Sequence, residues 1–271
     1  MLKHVKHYIS VGAYSLRMSF ARQLEYPSFL ICWVIGNPLN YMMGVWMIGV
    51  ITQRFQALNG WTYPQIAFLY GISLLSHSLS VLLFIQTWGI ERMVIRGSFD
   101  RFLVRPVGVF FQFCIDYINL IGFTDMIPGV IIFVYGSSVV NFEWTFFNTI
   151  KILLVLVGAT LIRGATYTIL GSVAFWTKSS RSLISMVHAL FERTTYYPLS
   201  IYPTVIQVIF TFLLPFGFIS FYPACEFLGQ DSGFDFPLEF ALWTPVVGVI
   251  LEIIAVSIFN RGLKKYESAG S

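Results

Sequence analysis

The sequence predicts an all-α polytopic membrane protein with six transmembrane helices, and three observations carry that prediction. The 271 residues are 56% hydrophobic and 11% charged, with a mean hydropathy of +0.73. Soluble domains carry about 25% charged residues, so this chain has less than half the usual charge. That excludes a soluble globular enzyme, which needs far more polar surface, and a disordered chain, which needs low hydrophobicity. Apolar stretches of the roughly 20 residues a bilayer span requires recur six times. The basic residues gather in alternate segments between those stretches, as a chain that crosses the membrane repeatedly requires. Six spans with short loops leave no room for a soluble catalytic domain of about 100 residues.

Residues 1–24 are too charged to span. Val5, Ile9, Ala13, Leu16, Phe20 and Leu24 recur every three to four positions, with Lys3, Lys6, Arg17 and Arg22 between them. That periodicity predicts an amphipathic helix lying in the headgroup layer. Residues 25–271 then form one six-span domain. The expected spans are Tyr26–Ile51, Tyr63–Thr87, Pro106–Tyr135, Trp144–Trp176, Leu199–Phe218 and Phe240–Phe259, with a second apolar piece at Ile219–Leu228. Fourteen of the 17 basic residues fall on the side of the N-terminus. They lie before the first span, after the second and fourth, and in the tail. The positive-inside rule makes that side cytoplasmic, with both termini there and the protein multi-pass in the plasma membrane. No Lys/Arg run or binding motif points to nucleic acid. Cys32, Cys114 and Cys225 are too few and too scattered for a disulfide framework or a metal site.

The cytoplasmic segment 88–106 is the most informative. Glu91, Arg92, Arg96, Asp100, Arg101 and Arg105 alternate with apolar Ile90, Val94, Ile95, Phe99, Phe102 and Leu103, and Gly97-Ser98 divides it into two short helices. Such helices lie on a membrane or in a partner's groove. The run Arg96-Gly-Ser-Phe-Asp-Arg-Phe-Leu-Val-Arg-Pro106 resembles the first cytoplasmic loop of a branch of the ABC-2 type exporter permeases, which reads Arg-Gly-x-Leu-Asp-x-x-Leu-x-Arg-Pro; Phe99 stands where Leu is usual. Gly60-Trp61, Tyr70-Gly71, Tyr197-Pro-Leu-Ser-Ile-Tyr-Pro203 and Leu214-Pro-Phe-Gly-Phe-Ile-Ser-Phe-Tyr-Pro-Ala224 fit the same branch in the same order.

The resemblance implies a permease that pairs with a second copy or a sister permease above two separate ABC ATPase subunits. Residues 88–106 would then be the coupling loop, with Gly97 and Pro106 setting its turn and its exit into the third span. No phosphate-binding Gly-x-x-x-x-Gly-Lys-[Ser/Thr] occurs, so ATP and Mg are expected on the partner and no cofactor on this chain. The resemblance also implies a re-entrant hairpin between the last two spans, where Pro215, Gly217 and Pro223 interrupt the helix; such backbone must be covered by protein or face a watery cavity.

Charges within the spans are few. Helix rise of about 1.5 Å per residue lets Arg163 reach the depth of Asp125 or Asp116, so an intramembrane ion pair is expected, with Asp125 preferred. Gly122, Gly129 and Gly136 recur every seven residues on the third span, as do Gly158, Ala165 and Ser172 on the fourth. These stripes predict close packing of those two spans. Asn37 and Asn40 flank a proline kink at Pro38, and Ser73 and His77 form a polar strip on the second span; these four are candidates for lining a path. No Cys/His metal spacing and no hydrolase motif occurs, so the chain is not expected to be an enzyme. The alternatives to an ATP-driven exporter are an ion-coupled secondary carrier and a membrane scaffold.

Overall fold

The computed structural model describes residues 14, 17–18, 20–21, 23, 25, 27–55, 58–105, 108–233 and 239–267. The predicted interfacial helix therefore lies largely outside the described residues, as does Pro106; Arg17, Met18, Phe20, Ala21 and Gln23 are helical. Those described form helices and no β-strand. In chain order they are α1 (Pro27–Phe55), α2 (Tyr63–Phe84), α3 (Ile90–Ile95), α4 (Asp100–Leu103), α5 (Val109–Asp116), α6 (Ile121–Val139), α7 (Phe146–Ser172), α8 (Ala174–Thr177), α9 (Arg181–Thr194), α10 (Thr204–Val208), α11 (Phe221–Leu228) and α12 (Phe240–Leu263). Among the described residues, five helical stretches are long and apolar enough to cross a bilayer: Ile31–Arg54, Tyr63–Ile95, Ile121–Val139, Phe146–Thr177 and Phe240–Leu263.

α2 is the centre of the bundle. It is buried along most of its length, against α6 on one side and α7 on the other. It starts where the Thr62 N–H donates to Gln65 Oε1 at 2.9 Å, which satisfies a donor the helix leaves free. α7 in turn packs along α12, while α1 lies against α6 and turns most of its surface outward.

The small-residue stripes are real, but they pair differently from the expectation. A Cβ added at Gly136 would sit 2.5 Å from the Phe68 nitrogen, and one at Gly122 would sit 2.7 Å from the Ser78 oxygen, so the third span's stripe lies on α2. A Cβ at Gly158 would sit 2.5 Å from the Pro245 nitrogen, and one at Gly248 would sit 2.6 Å from the Gly158 oxygen, so the fourth span meets α12 at Gly158. A seven-residue period shows that a helix has a close-packing face; it does not say which neighbour takes it.

Two expected spans are interrupted. The third breaks at 117–119, between α5 and α6. Side chains serve the freed backbone groups there: Gln86 Nε2 donates to the carbonyls of Phe113 and Cys114, and Gln23 Nε2 donates to the Ile118 carbonyl at 2.7 Å. The Leu120 N–H donates to Gln23 Oε1 at 2.8 Å. The predicted fifth span, Leu199–Phe218, is not one helix but a series: a 3₁₀ turn at Leu199–Ile201, α10, a π-helical turn at Ile209–Leu213 and a 3₁₀ turn at Phe216–Ile219. Pro198, Pro203 and Pro215 each lack the N–H that a continuous helix needs, and hydropathy is blind to that loss. Gly217 and Pro223 are buried in this short-element region. The preceding stretch 181–194, expected as part of a loop, is the 14-residue helix α9.

Candidate functional site

Segments expected on the same side of the membrane meet at one end of the bundle. Ile90, Val94, Phe99, Phe102, Phe113, Ala174, Phe175 and Phe259 form one buried cluster, drawn from the 88–106 segment, α5, α8 and the end of α12. Residues 88–105 are therefore a folded cap that buries Ile90, Val94, Phe99 and Phe102 and leaves Ile95, Leu103 and Val104 exposed. Arg92, Arg96, Asp100, Arg101 and Arg105 all face outward. Gly97 ends α3 at φ +69°, a left-handed conformation that glycine adopts without penalty, and the Ser98 N–H closes the turn onto the Met93 carbonyl at 2.9 Å. Arg101 pairs with Asp116 at 2.7 Å. The Tyr266 hydroxyl donates to Asp100 at 3.0 Å. Desolvation and then that hydrogen bond push the Tyr266 phenol up to about 12, so it remains a donor at neutral pH.

Glu91 links this cap to α9. Its Oε2 accepts the Ser180 N–H at 2.5 Å and the Arg181 N–H at 2.7 Å, so a carboxylate from one segment caps the positive end of a helix in another. An open groove of about 450 Å³ lies beside this contact, lined by Glu91, Arg92, Ile95, Arg96 and Arg181 among others.

Farther into the bundle, α1, α2, the 117–125 stretch, α7 and α9 border a half-open cavity of about 320 Å³. Three predicted path residues, Asn37, Asn40 and His77, line it; the fourth, Ser73, is buried outside it. Asp125 also lines it, accepting from Asn37 Nδ2 at 2.8 Å and standing 3.9 Å from His77 Nε2. His77 bonds the Tyr41 hydroxyl at 3.0 Å. Across the cavity, Tyr167 bonds His188 Nδ1 at 2.9 Å. Trp33, Trp88, Asn119 and Glu192 are among the lining residues that sequence reasoning missed. The spacing of His188 and Glu192 marks one helix face, but it is visible only once 181–194 is known to be a helix.

The expected ion pair is not the arrangement found. Arg163 Nη2 donates to Ser73 Oγ and Thr195 Oγ1, both at 2.8 Å, and Nε donates to Ser76 Oγ at 3.2 Å. Its guanidinium lies 4.9 Å from the Phe191 ring centroid. Asp125 keeps to Asn37 and His77, and Asp116 to Arg101. Helix-rise arithmetic fixed the depth of these groups but not their direction around each helix. Arg163 instead sits at the C-terminal end of α9, where the helix dipole favours a positive charge. Because Glu91 sits at its other end, α9 runs between the outward-facing cap and a buried polar node.

A comparison with family models matches residues 39–270 to the family described as ABC-2 family transporter protein. No curated protein matches the chain significantly.

Proposed function

We propose, from the premise that this chain belongs to the ABC-2 family of transporter proteins, that it is the permease subunit of an ATP-driven exporter. The family match establishes a membrane transport component rather than a catalytic domain. The finer reading is that two such permeases, identical or sister chains, pair in the plasma membrane with both termini cytoplasmic and engage two separate ATPase subunits. ATP and Mg belong to that partner.

The observation that carries this reading is the 88–106 segment. Ile90, Val94, Phe99 and Phe102 are sunk into the bundle, its arginines face outward beside exposed Ile95, Leu103 and Val104, and Glu91 ties it to α9. A cap built this way transmits a push from a docked protein into helices that line a cavity. Purification of the tagged chain from its native membranes in mild detergent tests the reading. Co-purification of a protein with nucleotide-hydrolysing activity is the expected result; a chain that purifies as a fully assembled oligomer with no ATPase would overturn it.

One observation favours a second reading, an ion-coupled carrier. Asp125, His77, His188 and Glu192 put four titratable groups around one cavity. That reading requires transport to continue without ATP and to stop on collapse of the proton gradient.

A further inference from the structure

We infer that the bundle cavity binds an organic cation with an aromatic or apolar body, held by Asp125 and Glu192 among the ring faces of Trp33, Trp88, Tyr41 and Tyr167. The inference deepens the permease reading and rests on it. At about 320 Å³ the cavity falls at the lower end of small-molecule sites, which run from about 300 to 1,000 Å³ and combine apolar walls with a few polar groups.

Charge decides the ligand class. Two carboxylates line the cavity, and no lysine or arginine is among its described lining residues. The nearby buried cation, Arg163, is committed elsewhere, to Ser73, Ser76, Thr195 and the Phe191 ring. The histidines do not close the balance. His77 stands 3.9 Å from Asp125 and His188 stands 3.6 Å from Glu192, both beyond hydrogen-bond length, and histidine with its ordinary pKa of about 6.5 is mostly uncharged at neutral pH. Asp125, whose side chain is 2% exposed, is costly at this depth unless a cation answers it, whereas the Glu192 side chain is 43% exposed.

The walls supply the rest of the recognition. Ring faces attract a cation through the ring quadrupole, and desolvated sites strengthen that attraction. Ser80 adds an independent sign that the wall is incomplete without a ligand. Ser80 is 2% exposed and lines the cavity, and its Oγ has no hydrogen-bond partner among the described residues. An anion would meet two carboxylates, while the nearest guanidinium, Arg163, is outside the lining and turned to Ser73, Ser76 and Thr195. A neutral apolar molecule would leave the buried Asp125 unanswered.

The test compares two fluorescent molecules of nearly the same shape: the cation 4-(4-dimethylaminostyryl)-N-methylpyridinium and its uncharged analogue 4-dimethylaminostilbene. Each is titrated against the full chain in lipid nanodiscs at neutral pH, with the signal of empty nanodiscs subtracted. The cation binds about tenfold more tightly than the analogue, and Asp125→Asn weakens cation binding by about tenfold while leaving the analogue unchanged. Because Asp125→Asn puts a fold-bearing contact with Asn37 at risk, Glu192→Gln at its half-exposed position serves as the second variant and weakens the cation alone. Glu143→Gln, at an exposed position outside the cavity, changes neither. Equal affinity for the two molecules, or cation binding that survives both cavity substitutions, overturns the inference.

ATP-driven uptake of the cation into inside-out vesicles reads the exporter function separately. Cation binding without ATP-driven uptake supports the site and counts against the exporter. ATP-driven uptake of other solutes by a chain that does not bind the cation removes the site alone.

Discussion

Alanine at Gly158 and alanine at Gly36 make opposite predictions from the same chemical change. A Cβ at Gly158 would lie 2.5 Å from the Pro245 nitrogen and 2.6 Å from the Pro245 Cα and the Thr244 carbonyl carbon. All three are backbone atoms, so no side chain can swing aside. α7 and α12 would have to separate by about 1 Å along their seam, and overpacking of that kind costs about 1–3 kcal/mol. At Gly36, on α1, an added Cβ meets nothing within 4 Å. Both substitutions gain the same helix propensity, about 0.8–1 kcal/mol. That gain is the whole effect at Gly36 and cancels when the two are compared. The difference between the variants therefore isolates the seam at about 1–3 kcal/mol, and for a chain of this size about 2–4 °C in Tm follows each kcal/mol. Thermal unfolding of the purified chain in detergent should place Gly158→Ala about 2–12 °C below Gly36→Ala. Equal midpoints, or a higher midpoint for Gly158→Ala, would show that α7 and α12 do not meet at this glycine.

Two further outcomes follow from single contacts. Glu91→Ala removes the carboxylate that accepts the Ser180 and Arg181 N–H groups. Loss of a comparable cap costs about 0.5–2 kcal/mol, so hydrogen exchange in the first turn of α9 should accelerate by about tenfold while the last turn of α12 is unaffected; unchanged exchange in α9 refutes the link. Lys151 bridges Glu226 at 3.1 Å and Glu239 at 2.6 Å, at the end of the bundle opposite the cap. Partly exposed pairs contribute about 1 kcal/mol or less and are screened by salt. The stability gap between the natural chain and Lys151→Met should therefore narrow as salt rises to about 1 M; a gap that does not change with salt argues against an electrostatic clasp.

The broad architecture was legible in the sequence because it follows from composition. Scarce charge, long apolar runs and the grouping of arginines in alternate segments all follow from the cost of putting polar atoms in lipid. The amphipathic character of 88–106 was legible for the same reason, and Gly97 marked its turn. What the sequence did not carry was direction and partner. Gly136 and Gly158 announced tight seams without naming α2 and α12. Arg163 sits at the depth where Asp125 was expected to meet it, yet it turns toward Ser73 and Thr195. The stretch 181–194 carries Arg181, Glu192 and Arg193, so hydropathy assigned it to a loop; it is an amphipathic helix that brings His188 and Glu192 to the cavity. Rules based on apolar length miss a helix that is polar on its cavity side, and they join into one span what prolines divide.

In the proposed mechanism, a nucleotide-hydrolysing partner pushes on the cap formed by residues 88–105. The most direct measurement of that push is the energy source of transport by the chain reconstituted into inside-out vesicles with the ATPase that co-purifies with it. The prediction is solute accumulation that requires hydrolysable ATP, persists in the presence of a protonophore, and falls in Glu91→Ala. Accumulation that runs on an imposed proton gradient with no ATP present would contradict it.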